Sequence, residues 1–144
     1  MTRIAQVLAR KGAHVVTISP HSSVAELVNL LADHNVGAVV VVEGTAMVGI
    51  VSERDVVRHA HEHDAQVLAL PVSQLMTREV ISCGLEDDVA DVTRTMTHRR
   101  VRHVPVVKNG SVVGIVSIGD MIMTRIAQLE NEQAHLHSAL TIKS

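Results

Sequence analysis

The sequence predicts an α+β fold, a mixed α/β architecture of two repeated units, on three observations. The chain matches itself at an offset of 65 residues, the separation of Asp55 from Asp120. Each copy alternates β-branched runs with segments whose apolar residues recur at helical spacing. The order of these segments, β-α-β-β-α, is the same both times. A unit of this size cannot bury its own apolar face, so two copies are expected to close on each other. The result would be two small sheets packed back to back about a pseudo-two-fold axis.

The self-match runs without a gap from residue 24 to residue 55. Val24-Ala25 falls on Val89-Ala90, Val36 on Val101, Val39 on Val104 and Val41-Val42 on Val106-Val107. The run Val48-Gly49-Ile50-Val51-Ser52 falls on Val113-Gly114-Ile115-Val116-Ser117. Turn and polar positions agree along with apolar ones, which composition alone does not produce.

In the first copy, residues 15–19 read as a short strand leading through Pro20 to a helix over residues 22–34. Ser23 and Glu26 have capping-box spacing, in which the serine oxygen accepts from a free helix amide. Val24, Leu27, Val28 and Leu31 then share one face. Residues 36–42 form a β-branched run suited to a strand buried on both sides. Glu43-Gly44-Thr45 turns the chain into a second strand over residues 47–51, and so tight a link predicts a hairpin. A helix starts near Ser52 and runs toward His59. The second copy gives a strand at 80–83, a helix at 87–98, a strand at 101–107, the turn Lys108-Asn109-Gly110, a strand at 112–116 and a helix from Ser117. Residues 61–69 link the copies. The domain reading is 1–65 for the first repeat with an N-terminal helix, 66–126 for the second repeat, and 127–144 for a C-terminal helical extension.

Composition narrows the function. The 144 residues include no Phe, Tyr or Trp, so the core is aliphatic and a flat ligand must lie between aliphatic side chains. A net charge of −2 and the lack of stacking rings argue against nucleic acid as a partner. Cys83 is the single cysteine, which excludes an intrachain disulfide and suits a reducing compartment. The opening residues carry Arg3, Gln6, Arg10 and Lys11, unlike a signal peptide, and no run approaches the ~20 apolar residues of a membrane span. A soluble, cytoplasmic protein without membrane association is expected.

The repeat length, the element order and the paired segments GIVSERD (49–55) and GIVSIGD (114–120) resemble a tandem pair of CBS domains, a Bateman module. VRHVPVV (101–107) is similar to that family's second-repeat strand. The resemblance covers nearly the whole chain and points to stand-alone bacterial CBS-pair proteins, in which no enzyme or transporter is fused to the module.

A strand that ends in Gly-Ile-Val-Ser and turns into a helix puts Ser52 at the N-cap and Asp55 one turn inward. Free amides and the helix dipole there can take a phosphate, and the carboxylate can accept both hydroxyls of a ribose. A lone Ser-x-x-Asp would be read as a capping box only. Two copies, each after the same strand, favour a ligand site, and the two roles are compatible. The resemblance assigns ribose binding to Asp55 and Asp120 and a place near the sugar phosphate to Ser52 and Ser117. It also implies backbone contacts to adenine from Val16, Thr17 and Ile18, and from Ile81, Ser82 and Cys83. Val39, Val104 and Pro105 would close over the base. Arg54, Arg102 and His103 are the candidate phosphate partners, with His103 contributing charge only when protonated, and Lys11 is within reach of a phosphate. Gly37-Ala38 stands opposite Arg102-His103, and Ile118-Gly119 opposite Glu53-Arg54, so the two sites are not chemically equivalent. Cys83 carries no reactive signature.

Ten histidines raise the question of a metal. His59 and His63 are spaced i, i+4, but His61 and Glu62 between them do not make the HExxH pattern. A hydrated linker is the reading there, His135 and His137 rate no higher as ligands, and no metal site is expected. Past Asp120, Ile122, Ile126, Leu129, Leu136 and Leu140 recur at steps of three and four, with Gln133 filling the missing step. This predicts a helix with a coiled-coil-like seam that packs on a partner subunit. The resemblance likewise implies a homodimer.

The expected function is a regulatory sensor that binds AMP, ADP, ATP or NAD(H) between its repeats and modulates a partner protein, itself not catalytic. One alternative is a structural homodimeric adaptor with vestigial sites. The other is a nucleotide-processing enzyme, against which stand the lack of a P-loop, a GxGxxG motif or a nucleophile constellation.

Overall fold

The computed structural model describes the backbone of residues 1–143 and the side chains of residues 1–138. The first repeat contains β1 (Thr17–Ile18), α2 (Val24–His34), β2 (Ala38–Glu43), β3 (Ala46–Ser52) and α3 (Glu53–His63), preceded by α1 (Ile4–Lys11). The second contains α4 (Val89–Arg99), β4 (His103–Lys108), β5 (Ser111–Ser117) and α5 (Ile118–Lys143). Helices α2 and α4 start and stop alike. Ser23 caps α2 by accepting from the Glu26 amide, and Asp88 caps α4 by accepting from the Ala90 amide. Both helices end on a left-handed residue, Asn35 or Arg100, one repeat apart.

Strands β2 and β3 pair antiparallel, as do β4 and β5, each hairpin carrying a register shift at Val41/Val42 or Val106/Val107. The second turn is Asn109-Gly110, both at positive φ, a conformation that matches the strands' twist. In the first sheet β1 lies parallel to β2. The strand expected at 80–83 is reduced to one parallel bridge, Cys83 to Val106. Pro105 is the reason. In the first sheet the Val40 amide donates to the Val16 carbonyl (3.3 Å), and Pro105, the counterpart of Val40, has no N–H to offer Ile81. The Cys83 amide donates to Pro105 O (3.0 Å) and Cys83 O accepts from Val107 (2.8 Å), and the ladder stops there.

Two aliphatic cores result. Val24, Leu27, Leu31, Val39, Val41 and Val51 anchor the first, and Val92, Met96, Val104, Val106 and Val116 the second. Helix α1, grouped by sequence with the first repeat, buries Ile4, Val7 and Leu8 in the second core. Each such burial stabilises by about 1.5–3 kcal/mol, enough to hold a short helix that would not persist alone. The segment expected to be a linker is helical: α3 continues to His63, and a 3-10 helix, Asp64–Ala69, buries Val67 in the first core.

Helix α5 is continuous and carries the C-terminal extension. Thr124 is buried and donates to Asp120 O (2.9 Å), and the Gln128 amide donates to Thr2. Beyond these contacts the expected seam is uncovered, with Ile122 54% and Leu136 64% exposed; Leu140 lies outside the described side chains. Among the described residues no helix is long and apolar enough to cross a membrane.

Candidate functional site

Both strand-to-helix junctions form reciprocal caps. At the first, Asp55 Oδ2 accepts from the Ser52 amide (2.9 Å) and hydroxyl (3.0 Å), while Ser52 Oγ accepts from the Asp55 amide (3.2 Å). At the second, Asp120 Oδ2 accepts from the Ser117 amide (2.9 Å) and Ser117 Oγ from the Asp120 amide (3.1 Å). Among the described residues no donor reaches Oδ1 of Asp55. The cap therefore fixes the carboxylate and leaves one oxygen for a ligand.

A cleft of about 640 Å³ opens beside the first junction. Its walls include Ser52 to Asp55 and Val57-Arg58 of the first repeat, and Thr77, residues 79–81 and residues 100–103 of the second, so it lies between the repeats. Arg54, Arg58, Arg100 and Arg102 border it, against Glu53, Asp55 and Glu79. Among the described residues none of these four arginines is in an ion pair. The structure brings Ser52, Arg54 and Asp55 of the first copy to the same cleft as Ile81, Arg102 and His103 of the second, which the sequence reading had named for separate copies. It adds Arg58 and Arg100. Arg58 was visible in principle, one turn beyond Arg54; Arg100 was hidden as a helix-end residue.

Other expected residues lie elsewhere. Val39 and Val104 are each 1% exposed and serve the cores, and Pro105 is buried in β4. Ser82, Cys83 and Val104 border a separate hollow of about 250 Å³ together with Asp87, Asp88 and Asp91. Three carboxylates there would repel a phosphate. Burial, followed by the nearby Asp87 charge, pushes the Cys83 thiol up to about 12. Val16, Thr17 and Ile18 border neither hollow and pair with β2 instead.

That second junction is already engaged. Lys11 Nζ lies 2.6 Å from Asp120 Oδ2 and donates to Ile115 O (2.7 Å). Burial alone would raise the Asp120 carboxyl, but the bonds from Lys11 and Ser117 outweigh it and hold it below the usual value. His103 stands between the junctions. Burial lowers its pKa first, and Lys11 next; Asp120 and Glu53 oppose them, and Arg102 adds a smaller lowering.

His59 and His63 do share a helix face, since α3 extends through both. Their rings stack 6.3 Å apart, and His59 Nδ1 donates to Asp55 O (2.9 Å). Among the described residues no group of three or more His, Cys, Asp or Glu side chains converges as on a metal ion.

Residues 5–62 and 72–126 match the sequence profile of the CBS domain, one match for each repeat. The chain belongs to the CBS-domain family. Among CBS-domain proteins it is 35% identical over 129 residues to YhcV of Bacillus subtilis (strain 168), covering 88% of this chain and 86% of that one. The fold matches the crystal structure of ATU1752 from Agrobacterium tumefaciens with a TM-score of 0.83 and 39% identity, over 86% of this chain and 99% of that chain. It also matches the CBS-domain protein PAE2072 from Pyrobaculum aerophilum, solved in complex with AMP, with a TM-score of 0.77 and 28% identity, over 90% and 97% of the two chains. The tandem CBS repeats and the mixed architecture follow from these matches together with the two sheets.

Proposed function

We propose that this CBS-domain protein is a cytoplasmic regulatory module that binds an adenine nucleotide in the cleft beside Asp55 and signals its occupancy to a partner protein. The observation that carries the reading is the open cleft itself. It sets a capped carboxylate with a spare oxygen at the start of α3, among four arginines with no ion pair among the described residues. A ribose diol would donate to Asp55, the α3 amides and the arginines would meet the phosphates, and the main chain of residues 79–81 would meet the edge of the base. The AMP complex of PAE2072 supports the same ligand class here.

The module signals rather than catalyses. A ligand shifts a conformational equilibrium only by its differential affinity for two states, and a cleft walled by both repeats gives it that leverage. The uncovered seam on α5 supports a homodimer, through which a change in repeat geometry would reach a second chain. The regulated partner has no signature in this chain.

Calorimetry with AMP, ADP, ATP and NAD(H) tests the reading. Binding of at least one ligand, weakened by roughly tenfold or more in Asp55→Ala, is the expected result. Absence of heat with all four would leave an adaptor with vestigial sites. Sustained turnover of ATP or NADH would favour an enzyme instead.

A further inference from the structure

The two junctions differ in one respect that the repeat does not predict. In the first, Ile50 O accepts from the backbone amide of Thr77 (2.8 Å). In the second, the equivalent Ile115 O accepts from the Lys11 ammonium (2.7 Å), which also holds Asp120 Oδ2 at 2.6 Å. The repeat offset places Met76 opposite Lys11, so the first junction has no ammonium at this position. Lys11 is also not on a loose arm. It is the last residue of α1, whose Ile4, Val7 and Leu8 are locked in the second core, and Gly12 ends the helix at φ 99°. The side chains of Lys11 and Asp120 are 33% and 23% exposed, so the contact is partly screened from water.

We propose that Lys11 is the determinant of which cleft takes a ligand: its ammonium occupies the Asp120 carboxylate, so that each chain binds one nucleotide, at Asp55, instead of two. The inference rests on the reading of the Asp55 cleft given above. A ribose hydroxyl and the ammonium would each give the carboxylate a charge-assisted bond, but only the ammonium also neutralises its charge. Among the described residues Asp120 Oδ1 accepts no bond either, but the charge of the group is compensated from within the chain, and on that ground the duplicated site is silent.

Calorimetric titration of the full chain with AMP tests this, with circular dichroism to verify folding. Wild type is expected to bind one AMP per chain, Lys11→Met two, and the double variant Lys11→Met/Asp120→Asn one again. Lys11→Gln, of similar length and neutral, repeats the test if Met disturbs the end of α1, and Lys11→Arg should stay at one. A single site in both Lys11→Met and Lys11→Gln overturns the inference and leaves the Asp55 reading intact. Two sites in wild type, with weaker binding in Lys11→Met, also overturn it, since Lys11 would then serve a phosphate. A silent wild type beside a Lys11→Met variant that gains an Asp120-dependent site sinks the Asp55 reading and supports the plug. Silence in the wild type and in both neutral variants sinks both.

Discussion

The imidazole of His103 fills the space that a side chain at residue 37 would need. A Cβ built on Gly37 would lie 3.2 Å from His103 Nε2 and 3.6 Å from Glu53 Oε1. A residue of the second repeat therefore seats itself in a gap left by a glycine of the first, where β2 and β4 both begin. Burial there disfavours the imidazolium, assisted by Lys11 and Arg102 and opposed by Asp120 and Glu53, and the His103 pKa falls below 6.5.

This sets the sign of one pH dependence. Below pH 6.5 the unfolded histidine takes a proton that the folded one refuses, so the unfolded state binds more protons and stability falls as pH drops. The His103 contribution is complete above 6.5 and declines below it, toward the lowered folded value. Melting temperatures measured from pH 7 to pH 5 should fall less steeply in His103→Asn than in wild type. Parallel curves would remove His103 as the cause.

Arg54 is exposed on the cleft wall, so its contribution to a phosphate should be modest. Arg54→Ala is expected to weaken AMP by roughly two- to fivefold, as for a solvent-exposed charge pair, and to leave adenosine almost unchanged. Titrations of the variant with both ligands check this. Equal losses would assign Arg54 to the fold or the base instead of the phosphate.

Gly49 and Gly114 are equivalent in the repeat but not in their surroundings. A Cβ on Gly49 would meet Met76 Sδ at 2.8 Å and the Thr77 carbonyl at 2.9 Å, and that carbonyl is held by the Ile50 amide. On Gly114 it would meet only the methyls of Leu8, at 2.7 and 2.8 Å. Gly49→Ala should cost about 1–3 kcal/mol, and Gly114→Ala less, because a leucine can turn where a paired backbone cannot. Urea denaturation of both variants decides the order.

Cys83 should be inert in the folded protein. With its pKa pushed up to about 12 by burial and Asp87, almost no thiolate is present at pH 8, and the thiolate is the reactive form. Mass spectrometry after a maleimide pulse should show unlabelled protein under native conditions and full labelling in denaturant. Fast native labelling would mean that the second core opens.

Much of this was legible in the chain, and the omissions have physical causes. The GIVS segments fixed both junctions, because a strand ending in a capped helix leaves a local pattern of residue types. The repeat singled out Ser52, Asp55, Arg102 and His103 but did not say that residues of both copies would line one cleft. The destination of α1 did not: its spacing shows an apolar face, but nothing local says which of two similar cores receives it. Nor could sequence pair Lys11 with Asp120, 109 positions away, since any exposed lysine looks the same until the fold supplies its neighbour. Of Ile81, Ser82 and Cys83, only Ile81 borders the larger cleft, and the shortening of the strand expected at 80–83 depends on a cross-strand partner, Pro105, that local pattern does not reveal.

That truncation has a consequence for how a duplicated protein becomes asymmetric. At one rung of the second sheet an imino acid stands where the first sheet has an amide, and the bond to the Ile81 carbonyl that would match Val40 to Val16 is missing. Two similar halves thereby differ without any change in the paired carboxylates: one keeps its edge strand, and the other has at that edge a segment that borders the cleft. A single missing hydrogen is enough to tell the halves apart.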